Sequence, residues 1–87
     1  MRLEIYKLKW EEHDAEHIWK HHVYTWEVED VVFDDPGREA RIESSKKHGT
    51  RIMMKGRTRT GRPLIVFLKP IDSSEGIWRC TTAWEEK

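Results

Sequence analysis

From Leu3 to Trp10 (LEIYKLKW) apolar and charged residues alternate and include Ile, Tyr and Trp, which predicts a short first strand. At Glu11 the pattern changes to that of a helix. Glu11, Glu12 and Asp14 stand at its start, where the helix dipole favours negative charge; Lys20 and nearby histidines lie toward its end. Ala15, Ile18 and Trp19, with Val23 just beyond, supply apolar contacts. Thr25 is the expected N-cap of a second helix, with Val28, Val31 and Val32 on one face, and Asp34-Asp35-Pro36-Gly37 ends it.

Beyond Gly37 the period becomes two. Arg38 to Glu43 reads as a strand, Ser44 to Gly49 as a polar turn and Arg51 to Arg59 as the next strand. Thr60-Gly61 is a hairpin turn into Arg62 to Lys69, whose run Leu64 to Leu68 is apolar on both faces and so predicts a central position. Asp72 to Gly76 turns the chain into a last strand, Ile77 to Trp84. The expected class is α+β: a short N-terminal strand, then two helices packed on one face of a three- to four-stranded antiparallel meander, in a single domain over residues 1–87.

Composition narrows the function classes. The longest apolar run is five residues, so no membrane span is expected, and the charged start lacks the apolar stretch of a signal peptide. One cysteine, Cys80, rules out an internal disulfide framework and fits a reducing, cytoplasmic setting. Net charge is zero but unevenly spread. Residues 1–43 carry six Lys/Arg against twelve Asp/Glu, and residues 44–87 carry ten against four. A basic surface able to meet an anion follows, carried by a fold with an acidic half.

The alternation from Arg51 to Arg59 gives that surface a shape. Residues two apart share a strand face, which groups Arg51, Met53, Lys55, Arg57 and Arg59 against Ile52, Met54, Gly56 and Thr58. Four cations on one face repel one another. A phosphodiester backbone would neutralise them, and Arg62 and Arg79 would extend the patch on neighbouring strands. The competing reading pairs the same residues with the acidic helices, tying sheet to helix. Cleavage of RNA through its own 2′-OH needs a base, an acid and cations on the phosphorane, all of which Lys, Arg and His supply without a metal or other cofactor. The sequence holds no glycine-rich phosphate loop and no Cys-x-x-Cys or His-Glu-x-x-His metal motif.

His13, His17 and His21 recur every four residues along one helix face, with His22 adjacent. Such a face is compatible with a metal pair, although no cysteine completes it, with packing beside the sheet, or with His17 or His21 as acid/base residues. Trp10, Trp19, Trp26, Trp78 and Trp84 either build core and subunit contacts, including self-association, or stack nucleobases.

The order of these residues resembles the BrnT-type toxin family. The resemblance runs through Trp10-Glu11-Glu12, His17-Ile18-Trp19-Lys20-His21-His22-Val23 and Glu27 to Pro36. It continues with Arg51 to Thr58, Gly61 to Val66 and Trp78 to Ala83, covering about residues 8–84. The chain departs from the family pattern at Asp14, often Lys there; at His17, often Asn; at His22, usually Gly; and at Trp84, often Arg. The resemblance implies a RelE-like ribonuclease fold, metal-independent RNA cleavage that halts translation, and neutralisation by a DNA-binding antitoxin. Carried over by position, the implied working residues are Trp10, Arg51, Lys55, Arg57 and Arg79, with Lys9 beside Trp10. The expected roles are Lys55 or a histidine as base, Arg57 and Arg79 on the phosphorane, Arg51 on backbone phosphate and Trp10 under a base.

A second function is a non-catalytic binding or assembly module on the same scaffold, using apolar surface around Trp78 and Trp84. A histidine-helix metal protein ranks third. Loss of the basic face into internal salt bridges would favour the second.

Overall fold

The computed structural model describes residues 5–47 and 49–86; residues 3 and 4 of the expected first strand, and His48 of the expected turn, lie outside the described residues. The elements follow the expected order: β1 (Lys7–Leu8), α1 (Glu12–Trp19), α2 (Thr25–Glu29) running into a π turn (Asp30–Asp34), β2 (Glu39–Ser45), β3 (Gly49–Arg57), β4 (Pro63–Asp72) and β5 (Ile77–Glu85).

The end of α1 is built with care. Val23 N–H donates to Ile18 O (3.2 Å) and His22 N–H to Trp19 O (2.8 Å), the paired bonds of a Schellman closure. Its apolar pair, Ile18 and Val23, is buried. The closure requires a left-handed residue, and that residue is His22, at φ 60°. Glycine is the usual occupant, since a side chain there costs about 1 kcal/mol.

α2 is capped one residue earlier than expected, by Tyr24 rather than Thr25: Tyr24 N–H donates to the Glu27 carboxylate at 3.1 Å. The wider π turn then lets three successive residues, Asp30, Val31 and Val32, face inward. Asp35 closes the segment. One carboxylate oxygen accepts Gly37 N–H (2.9 Å) and the other accepts Arg57 N–H (2.7 Å), which stitches the turn to β3. Gly56 makes room for that stitch: a Cβ there would lie 2.7 Å from Asp35 Oδ2 and 2.9 Å from Val31 Cγ1.

Strand order is β1-β5-β4-β3-β2. β2 to β5 form the antiparallel meander, and β1 joins β5 in parallel through Lys7–Ile77 and Leu8–Trp78. The sheet therefore has five strands where three or four were expected, because the N-terminal strand completes it instead of standing apart. Ile52 and Met54 of β3, Leu64, Val66 and Leu68 of β4, and Trp78, Cys80 and Ala83 of β5 point to the helices, where Ile18, Val23, Val28, Val31 and Val32 meet them in one core. Trp78 is buried in it, so the apolar surface expected around that residue is not exposed.

Candidate nucleic-acid interface

Strand register assembles the other face of the sheet row by row. Glu39 pairs with Lys55, Lys55 with Ile65 and Ile65 with Trp84; Arg41 pairs with Met53, Met53 with Phe67 and Phe67 with Thr82. Glu43 pairs with Arg51, and Arg51 and Lys69 flank the Ile52–Leu68 pair; Arg79, opposite Lys69, turns its side chain away from this row to the buried Asp14. The residues of one row share a face. Among the described residues no further helix or strand covers this side. Its middle is an apolar strip in which the Phe67 and Trp84 rings meet at 5.3 Å. Arg41, Arg51, Lys55, Arg57 and Lys69 surround that strip, against Glu39, Glu43 and the nearby Glu86.

These cations are held differently. Arg51 lies 4.4 Å over the Phe67 ring and donates to Glu43 at 3.0 Å. Lys55 meets Glu86 at 3.5 Å, and Arg57 donates to the Gly61 carbonyl at 3.0 Å. Arg41 and Lys69 have no ion-pair or hydrogen-bond partner among the described residues. An open cleft of about 330 Å³ is lined by Lys55, Arg57, Asp35, Glu39 and Glu86. Its cations are thus matched by carboxylates.

The remaining arginines serve the interior. Three helix acids are buried, Asp14, Glu27 and Asp30, and each meets one arginine from the second half of the chain. Arg79 donates to Asp14 at 2.7 Å, Arg62 to Glu27 at 2.8 Å, and Arg59 grips Asp30 with bonds of 3.0 to 3.3 Å. Hydrogen bonds from the Arg59 side chain hold the Asp30 carboxyl below its ordinary range, and the same contact raises the Arg59 guanidinium. Arg62 is raised by Glu85 first, at 2.7 Å, and then by Glu27. The acidic and basic halves of the sequence are therefore clamped together inside the molecule. A buried acid left without its arginine would be costly.

This arrangement corrects two expectations. Arg59 does not share the face of Arg51, Lys55 and Arg57, because β3 ends at Arg57 and the Thr58–Arg62 loop turns the chain toward the helices. Arg62 does not extend the sheet-face patch either, since it points to Glu27, Glu85 and the His22 carbonyl. Nor does the fold bring the expected catalytic set together. Arg79 sits four residues along β4 and two strands across from Lys55, about 16 Å between Cα positions. The Trp10 indole donates to Glu29 at 3.0 Å and packs on the helix-side core, and Lys9 lies next to Glu11 at 3.9 Å.

No family model, curated protein or solved structure matches the chain.

The tryptophans divide by environment. Trp78 is core, Trp10 and Trp84 are half-buried, and Trp19 and Trp26 are exposed with Tyr24 between them, at ring separations of 4.9 and 6.1 Å. The Arg59 guanidinium lies 5.4 Å over Trp26. His17 and His21 meet edge to face at 6.0 Å, and among the described residues no three His, Cys, Asp or Glu side chains form a metal cluster. Burial pushes the Cys80 thiol up to about 12, so it is not a nucleophile. No helix of the described residues is long and apolar enough to cross a membrane.

Sequence reasoning missed the buried acids, although a signal was present. Asp14 stands four residues before Ile18 and Glu27 four before Val31, so each shares a helix face with a core residue. Phe67 and Lys69 were equally available, two and four residues beyond Ile65 on the same strand face.

Proposed function

We propose that this protein binds single-stranded RNA across the helix-free face of its sheet and cuts it without a metal, as the toxin of a type II toxin–antitoxin pair whose antitoxin covers that face. The uncovered row structure carries the reading: five cations against three carboxylates, arranged around an aromatic strip. Phosphates favour the unpaired Arg41 and Lys69 and compete with Glu43 for Arg51; exposed ion pairs are weak enough to exchange. The half-buried Trp84 offers a stacking surface beside Phe67, whose own ring is buried beneath Arg51. The resemblance to BrnT-type toxins and the strand–helix–helix–meander order support the same reading.

One observation favours a second reading, a non-catalytic binding module. Lys55 is paired with Glu86, and Arg79 is anchored to a buried acid far from Lys55. The two readings part in one experiment: a fluorescent single-stranded RNA titrated with protein in EDTA, with binding and cleavage scored separately at several salt concentrations. For single strands log K falls with log salt at about −0.7 per neutralised phosphate, so Arg41→Ala and Lys69→Ala should each flatten the slope by about 0.7. Binding with cleavage supports the toxin, binding alone moves the assignment to the module, and absence of binding by folded protein refutes both.

A further inference from the structure

If RNA lies across the sheet face, the dispersed Lys55–Arg79 set leaves open where the strand is cut. A larger cleft, about 660 Å³ against 330 Å³, opens where α1 ends, lined by Lys20, His21, His22, Arg62, Trp84 and Glu85. It adjoins the sheet face, because Trp84 touches Phe67 on one side and lies 6.1 Å from the His21 ring on the other. His21 and His22, in the turn that follows α1, both line this one cavity; the His21 ring faces Trp84, and the His22 ring meets Trp19 edge to face at 5.7 Å. His22 has a left-handed backbone, and Arg62 holds that conformation by donating to the His22 carbonyl at 2.8 Å, which fixes the residue at the cleft wall. A strained position where glycine would relax the chain instead carries a proton-transfer group. Such outliers gather at working sites.

We propose that this cleft, and not the basic strand, is the cleavage centre, taking one RNA nucleotide with its base on Trp84 and its phosphate beside Lys20, and using His21 and His22 as the proton-transferring pair. This rests on the reading that the sheet face binds RNA. Lys20 has no partner among the described residues, so its charge is available to the phosphate; Arg62, held by Glu27 and Glu85, is a positioning residue. One neutral imidazole removes the 2′-OH proton as O2′ bonds to phosphorus. The P–O5′ bond breaks, and the other imidazole, protonated, gives its proton to O5′. The products are a 2′,3′-cyclic phosphate and a 5′-OH, with no oxidant, water or metal consumed.

The test compares wild type, His21→Ala and His22→Gly on a short unstructured RNA in EDTA, with the uncleavable 2′-O-methyl RNA as the binding probe. His22→Gly removes the ring and relaxes the backbone, so its fold is secure and is checked by circular dichroism. Wild type should produce cyclic-phosphate ends, read by mass spectrometry. Both variants should lose about 100-fold or more in rate, with binding of the probe unchanged within about twofold. Cleavage by His22→Gly within about threefold of wild type overturns the proposal, as does loss of binding in step with cleavage. A wild type that binds RNA but leaves it intact also overturns it, while the sheet face stands as a binding surface. A wild type that binds no RNA overturns the sheet-face reading and this one together.

Discussion

Replacing Gly56 with alanine tests the joint between the helical layer and β3. The added Cβ would fall 2.7 Å from Asp35 Oδ2, 2.9 Å from Val31 Cγ1 and 3.3 Å from Arg38 Cβ. Asp35 Oδ2 is the atom that accepts Arg57 N–H at 2.7 Å. Retreating to an ordinary contact would need about 0.7 Å of movement and would stretch that bond to about 3.4 Å, outside useful hydrogen-bond range. That bond is exposed, so its own share is small, but crowding the buried Val31 costs about 1–3 kcal/mol. Removing a strand glycine returns about 0.5–1 kcal/mol. The expected net loss is about 1–2 kcal/mol, a sizeable share of the roughly 4–13 kcal/mol that a chain of this size commands. Thermal unfolding followed by circular dichroism should show Tm lowered by about 5–15 °C. Repeating the substitution in an Asp35→Ala background removes both the nearest clash and the bond, so its cost there should be smaller. Equal costs in the two backgrounds, or a loss below about 0.5 kcal/mol in wild type, would refute the reasoning.

Other consequences are quicker to measure. His22→Gly should raise stability by about 0.5–1 kcal/mol in urea unfolding, because it removes a left-handed side chain at the loss only of the edge contact with Trp19 at 5.7 Å; a lower midpoint would mean that the ring contact outweighs the strain. Asp35 is held below the ordinary carboxylate range by the Arg57 and then the Gly37 N–H groups, and Asp30 by Arg59. Their stabilising contribution is complete above the ordinary value of 3.8 and is lost as pH falls through the lowered native values, so the urea midpoint should drop below about pH 4, and less steeply in Asp35→Asn. Cys80, buried and with its thiol raised to about 12, should resist thiol reagents at pH 8 until the protein unfolds, and rapid labelling of native protein would contradict that burial.

Much of the fold was legible because periodicity reports local burial. The run Leu64 to Leu68 predicted a central strand, and β4 lies in the middle of the five; Ala15 to Trp19 predicted α1. What escaped was non-local. No period announces that Lys7 and Leu8 will pair in parallel with β5, or that Phe33 and Asp34 belong to a widened turn. Alternation alone puts Arg59 on the sheet face, but the chain leaves the sheet after Arg57, a point set by the Thr58–Arg62 loop bonds. The competing expectation for the arginines, pairing with the acidic helices, describes Arg59, Arg62 and Arg79, whereas Arg51, Lys55 and Arg57 keep the sheet face. At the candidate site, the departure from glycine at His22 was visible in the residues, but its meaning appears only once the left-handed backbone and the shared cleft are seen.

The parallel pairing of β1 with β5 has a consequence for biosynthesis. Every β1–β5 contact joins residues about 70 positions apart, and α1 also lies against β5, with Asp14 on Arg79 and His21 beside Trp84. Ribosomes extend chains at about 5–20 residues per second, so α1 is synthesised seconds before the strand that shelters its apolar side exists. The nascent chain can close β2, β3 and β4 as local hairpins while its first twenty residues wait without a partner. Maturation is therefore gated by emergence of the last strand, and a truncated product ending before β5 would expose Ile18 and Val23 and strand Asp14 without its arginine. Incomplete translation yields no partly working protein, only a chain marked for chaperones and proteases.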